Sequence, residues 1–210
     1  MTIPIELAVS LTEDEIDDIL YLSRAGEAAE LQEFLNDLSK KYNVSQADVI
    51  CNAADAESGN NAVHYTSANG HIDILNLFKS YFSSDKAALT ALINAPNQAG
   101  NTSLHWAALN GQLQVVQLLV VEGADPAKTN NAGHDVVFEA ERNDKEETVK
   151  WLLKEVPGLE RAVGGSGNGV ETEVDGEDMD VDGGTTVSEG SMASRATVNG
   201  GGSSHGTMPG

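Results

Sequence analysis

The sequence predicts an all-α protein, a solenoid of about four stacked helix pairs with short turn or hairpin fingers, ending in a disordered acidic tail. Three observations carry this. A helix–glycine–helix–glycine unit lies between Gly100 and Asp125. Its pattern recurs 33 residues downstream, where Gly133 answers Gly100, and 41 residues upstream, where His64 answers His105. The composition then changes at Pro157. Residues 156–210 hold 14 of the 21 glycines and few large apolar side chains, so ordering that stretch would bury too little to offset its entropy.

The central unit reads Gly100-Asn101-Thr102-Ser103-Leu104-His105-Trp106-Ala107-Ala108-Leu109-Asn110-Gly111 and continues to Val115-Val116-Gln117-Leu118-Leu119 and Gly123-Ala124-Asp125. Thr102 is placed to cap a short helix. Leu104, Ala107 and Ala108 follow helical spacing, and the alanines let a second helix approach closely. Gly111 supplies the left-handed residue that ends the first helix. Val115, Val116, Leu118 and Leu119 form the apolar face of the second. Such a pair cannot bury both its faces alone and needs neighbours on each side. The run resembles the ankyrin repeat, with Ser103 where the T-P-L-H-x-A-A signature has proline. That resemblance implies an ankyrin solenoid.

In chain order, residues 1–11 form an N-terminal arm. Ile3, Ile5, Leu7, Val9 and Leu11 alternate, which suits either a short strand-like arm or a frayed terminus. The repeat domain spans 12–155. Thr12 and Glu15 form a capping box ahead of a helix marked by Ile16, Ile19, Leu20 and Leu22, ending near Gly26. Leu31, Phe34, Leu35 and Leu38 mark its partner. Ser45 caps a short helix through Ile50. A second repeat carries Gly59, Val63, His64, Ala68, Gly70, Ile74, Leu75 and Leu77. Eight extra residues follow, where Ser83-Ser84-Asp85 can cap an added helical segment through Leu92. In the fourth repeat Asp135 to Ala140 stand where the third has Thr102 to Ala107. Val149, Trp151, Leu152 and Leu153 supply its second helix. The tail, 156–210, concentrates acids between Val170 and Asp182.

Charge and composition narrow the function. Net charge is −21, from 33 acidic and 12 basic residues, which disfavours direct nucleic-acid binding and favours a basic partner. Residues 1–155 alone hold 24 acids against 10 Lys plus Arg. A single cysteine, Cys51, excludes an intramolecular disulfide. With no signal peptide and no long apolar run, the expected setting is soluble and intracellular. No Cys/His or His/carboxylate group has metal-ligand spacing, and no nucleophile has a visible base, so the reading is a non-enzymatic protein with no cofactor. Gly165 to Gly169 lacks the strand and helix of a phosphate loop. His64 and His105, with Gly70, Thr102, Gly111 and Gly133, read as repeat-forming residues, the histidines bonding backbone between repeats.

In the ankyrin fold, finger tips and first-helix faces line a groove, and the residue after the signature histidine faces it. The resemblance therefore implies that Tyr65, Trp106 and Glu139 contact a partner. Further along those helices come Asn69, then Leu109 and Asn110, then Glu141, Arg142 and Asn143, with Asp135 at the start of the last. An aromatic residue beside carboxylates is the usual makeup of an interface anchor. The plain alternative is that Trp106 packs between repeats. The central run, with Ala124-Asp125-Pro126 and Gly133-His134-Asp135-Val136-Val137-Phe138-Glu139-Ala140-Glu141, resembles more closely a family of small fungal ankyrin chaperones, each dedicated to the KH-domain protein of the small ribosomal subunit. This implies a monomer that pairs with a basic client in cytoplasm and nucleus, keeps it soluble and delivers it for subunit assembly. A regulatory adaptor for a transcription or signalling factor is the other reading of an acidic groove.

Overall fold

The computed structural model describes residues 9–159. Ten α-helices form among these residues: α1 (Glu13–Ala25), α2 (Ala28–Tyr42), α3 (Gln46–Cys51), α4 (Ala62–Asn69), α5 (Ile72–Tyr81), α6 (Lys86–Ile93), α7 (Ser103–Asn110), α8 (Leu113–Val121), α9 (Val136–Arg142) and α10 (Glu146–Glu155). Four helix pairs, α1/α2, α4/α5, α7/α8 and α9/α10, are the repeats. The first helices stack in one row, α1 on α4 on α7 on α9. The second helices follow behind in another, with α2 on α5 and α8 on α10.

Local sequence chemistry sets the helix ends. Thr12 caps α1, and Glu15 Oε2 accepts from the Thr12 N–H at 2.9 Å. Ser45 and Asp48 form the same box on α3. Asp85 caps α6 through the Ala88 N–H. Gly26, Gly70 and Gly111 end α1, α4 and α7 in the left-handed conformation. At the corresponding place after α9 stands Asp144, also with positive φ.

The first-helix row is built on small side chains. Ala62, Ser67, Ser103, Ala107, Ala108 and Ala140 are fully buried, which allows adjacent first helices to lie close. The larger core residues Ile19, Leu31, Leu35, Ile74, Phe78, Leu104, Leu119 and Leu152 fill the space behind. The inserted α6 buries Leu89, Leu92 and Ile93 and is fastened to the loop after α8. Asn94 Nδ2 donates to Gly123 O at 2.8 Å, and Thr90 Oγ1 donates to Glu122 O at 3.2 Å.

The fingers are turns rather than paired strands. Among the described residues the β-type pairing is a single bridge, Ala54 with Asn61. Asn97 and Asn130 organise two of the turns from inside. Each side-chain oxygen accepts two backbone N–H groups, those of Ala99 and Asn101, and of Ala132 and His134. These asparagines are buried and so do not stand at exposed finger tips. The end of the domain also lies later than expected. Val156 packs against the core and Leu159 is 3% exposed, so the repeat unit reaches at least Leu159. The predicted arm, but for Val9 to Leu11, and the predicted tail beyond Leu159 lie outside the described residues.

Candidate partner-binding surface

The two signature histidines join repeats. His105 Nδ1 accepts from the Thr102 N–H at 3.2 Å and lies 2.9 Å from the Thr102 hydroxyl. Its Nε2 therefore carries the proton and donates to His134 O at 3.2 Å, in the next finger. His64 does the same, with Nε2 donating to Asn101 O at 3.0 Å. Both rings are buried. Burial pushes the His64 pKa down to about 4 against the opposing carbonyl bond, and burial lowers that of His105 as well. These are structural groups held neutral.

The exposed side of the first-helix row carries the candidate contacts. Tyr65 and Trp106 are half-buried there, with Leu109 half-buried and Asn69 and Asn110 exposed. Asn69, Asn110 and Asn143 form a repeated device: each amide folds back to donate to the carbonyl four residues earlier, at 2.8–2.9 Å, on Tyr65, Trp106 and Glu139 respectively. These asparagines are thus partly engaged by their own helix ends. The Trp106 indole N–H is buried without an acceptor among the described residues while the residue as a whole is half-buried, so it sits between the two readings.

One sequence expectation is corrected. Glu139 is not a free groove carboxylate: it is 5% exposed. Its Oε1 accepts from Asn130 Nδ2 at 2.9 Å and lies 3.0 Å from His134 Nδ1. The cause is the loss of the signature histidine. Phe138 stands at that position, no further repeat follows α9 among the described residues, and Phe138 is turned outward against the His134 ring at 3.9 Å. Glu139 then fills the polar space under the finger. Asp135 is half-buried and is spent on capping α9, accepting from the Phe138 N–H at 2.8 Å. Glu141 and Arg142 remain exposed.

Sequence reasoning missed a third member of the aromatic column. Tyr65 and Trp106 each stand five residues before the glycine that ends their helix. Tyr21 stands five residues before Gly26 and is 67% exposed. Counting from the glycine rather than from the histidine, which the first repeat lacks, would have found it. The described residues hold no group of three or more His, Cys, Asp or Glu side chains suited to a metal ion, and no helix long and apolar enough to cross a membrane.

A family model for ankyrin repeats in three copies matches residues 22–130 and 81–163. The ankyrin repeat-containing protein YAR1 of Saccharomyces cerevisiae is 35% identical over 180 residues, 84% of this chain and 81% of that protein. An ankyrin repeat-containing protein of Schizosaccharomyces pombe is 33% identical over 139 residues, 66% of this chain and 84% of its own length. Among solved structures, one of the yeast ribosomal protein Rps3 in complex with its chaperone Yar1 matches with a TM-score of 0.62 and 36% identity, over 69% of this chain and 95% of the matched chain. With its stacked helix pairs, its bridging histidines and these matches, the chain belongs to the ankyrin-repeat family, as one of its Yar1-like members.

Proposed function

We propose that the protein is a dedicated chaperone of an Rps3-type ribosomal protein, which it holds soluble for assembly into the small subunit. The observation that carries this is the match to the Rps3–Yar1 complex at 36% identity over 95% of the matched chain. The physical features agree. The chain is strongly acidic, and its first-helix row offers Tyr65 and Trp106 as apolar anchors, with Glu141 exposed on α9. A basic client segment is steered by the charge and held by the aromatics. Direct binding of nucleic acid or membrane has no part in this reading. The protein acts as a monomer pairing with one client, in cytoplasm and nucleus, where such a client is made and assembled.

The test is binding kinetics with the purified Rps3-type protein of the same organism, across a salt series. Trp106→Ala should raise the dissociation rate by about tenfold or more, as loss of an anchor does. Glu141→Lys should slow association at low salt, with the effect shrinking as salt is added. Failure of the wild-type chain to bind this client, or full-strength binding by both variants, rejects the proposed site.

A further inference from the structure

We propose that the first repeat carries a second docking site for the same client, an acid-rimmed aromatic groove between α1 and α2 that takes a basic amphipathic segment. This rests on the chaperone reading and extends it. The groove has a volume of about 450 Å³. Tyr21, Leu22 and Phe34 form its apolar part, and Asp18, Glu30, Glu33 and Asp37 stand around it. No cation lines it. Of the four carboxylates, Asp37 alone has an ion pair among the described residues, with the exposed Lys40 at 3.0 Å.

A solubilising cap explains the acids but not the aromatics. Terminal repeats need a polar outer face. Such a face has no use for a tyrosine left 67% exposed beside a half-buried phenylalanine. The opposite end of the solenoid shows the contrast. The depression there is lined by Glu141, Asp144 and Glu146 together with Lys145 and Lys150, so most of its negative charge is offset. Lys150 pairs with Glu146 and Glu147 at 3.2 Å each. The first repeat has the unbalanced end: residues 12–45 hold nine acids and three bases.

The occupant follows from complementarity and continuity. Three carboxylates without a counter-ion among the described residues, and a fourth paired only with the exposed Lys40, select Lys and Arg. The tyrosine and phenylalanine select an apolar side chain between them. Tyr21 is also the next step of the column that contains Tyr65 and Trp106, so one client can run from the middle repeats onto this groove. Residues 1–8 of the chain are apolar but carry Glu6 and no Lys or Arg, which makes them a poor match for the acidic rim.

The experiment measures the affinity of the full-length chain for the purified Rps3-type protein, using Asp18→Lys with Glu33→Lys, and separately Tyr21→Ala. All three positions are exposed, so the variants should fold, which melting curves verify. Each is expected to weaken binding about tenfold or more, and to add to the effect of Trp106→Ala. Wild-type affinity in both groove variants, with Trp106→Ala still defective, overturns the second site and leaves the chaperone reading intact. If the wild-type chain does not bind the client, both fall. Two further outcomes overturn the assigned occupant. One is tighter client binding after deletion of residues 1–8, which places that segment in the groove. The other is a homodimer in sedimentation that Tyr21→Ala dissolves.

Discussion

His64 illustrates how far one residue is committed to packing. It is buried, and that burial holds its pKa at about 4 rather than near its ordinary 6.5. Between those values the unfolded chain takes up a proton that the folded repeat excludes. Its contribution is therefore complete above about pH 6.5 and is lost as pH falls towards 4, a change of the order of 3 kcal/mol. His105 is displaced in the same direction. The urea midpoint should fall steadily below pH 6.5, and an unchanged midpoint from pH 7.5 to 5 would show that these rings accept protons freely. Trp106 is the opposite case, a residue at odds with its own fold. Its buried N–H has no acceptor among the described residues, which is unfavourable. Trp106→Phe removes that group along with some ring area. Its melting temperature should stay within a few degrees of wild type, while client dissociation accelerates. A large loss of stability would mean that the indole is core rather than anchor.

At the scale of the element, each repeat is completed by the one after it. The helix-ending glycines lie beneath a side chain from the next repeat: Gly26 under His71, Gly70 under Gln112 and Gly111 under Lys145. His71 Nε2 donates across to Arg24 O at 3.0 Å. Asp144, at the end of the fourth pair, is the exception that a terminal repeat permits. The fingers stack likewise, with the Gln98 N–H donating to Ser58 O at 2.9 Å and that of Asn131 to Ala99 O at 3.0 Å. Gly100 and Gly133 share a φ of +79°, yet a Cβ on Gly100 would meet the Asn131 backbone nitrogen at 2.6 Å, whereas one on Gly133 meets nothing within 4 Å. Gly133→Ala should cost roughly 1–2 kcal/mol, from left-handed strain alone. Gly100→Ala should cost about 1–3 kcal/mol more, because a backbone must shift. Denaturant unfolding of the pair decides it, and equal losses would refute the account of finger stacking.

For the whole molecule, the boundary and the charge matter most. Leu159 is buried past the last helix, so a chain ended at residue 155 should be less stable than one ended at 159, by roughly 1–3 kcal/mol. Identical melting of the two fragments would show that Leu159 adds nothing. The repeats themselves were legible from sequence because their signals are local. Caps at Thr12, Ser45 and Asp85, stops at Gly26, Gly70 and Gly111, and apolar spacing in α2, α5 and α8 depend on neighbours within a turn or two. The added helix was legible as an eight-residue excess. The surface was read less well. The role of Glu139 depends on Asn130 and His134 in the preceding finger, and Tyr21 was hidden because its repeat lacks the histidine used as a landmark.

The sequence by itself determined that this is a helical repeat protein, where its helices begin and end, its acidity and its family. Each follows from composition or from chemistry at short separation along the chain. Only the tertiary structure decided which polar residues are spent inside and which aromatics remain outside. Asn97, Asn130 and Glu139 look like surface groups in the sequence. Asn97 and Asn130 are buried by bonds to the preceding finger, 37 and 29 residues back, and Glu139 by the finger that leads into its own helix, through Asn130 and His134. Phe34 looks like core, and with no repeat before α1 among the described residues it stays half-buried, while Tyr21 takes the same helix position as Tyr65 and Trp106 and is exposed. The physical reason is the same for both: burial is settled by what packs against a face, and in a solenoid that partner is the next repeat rather than the next turn.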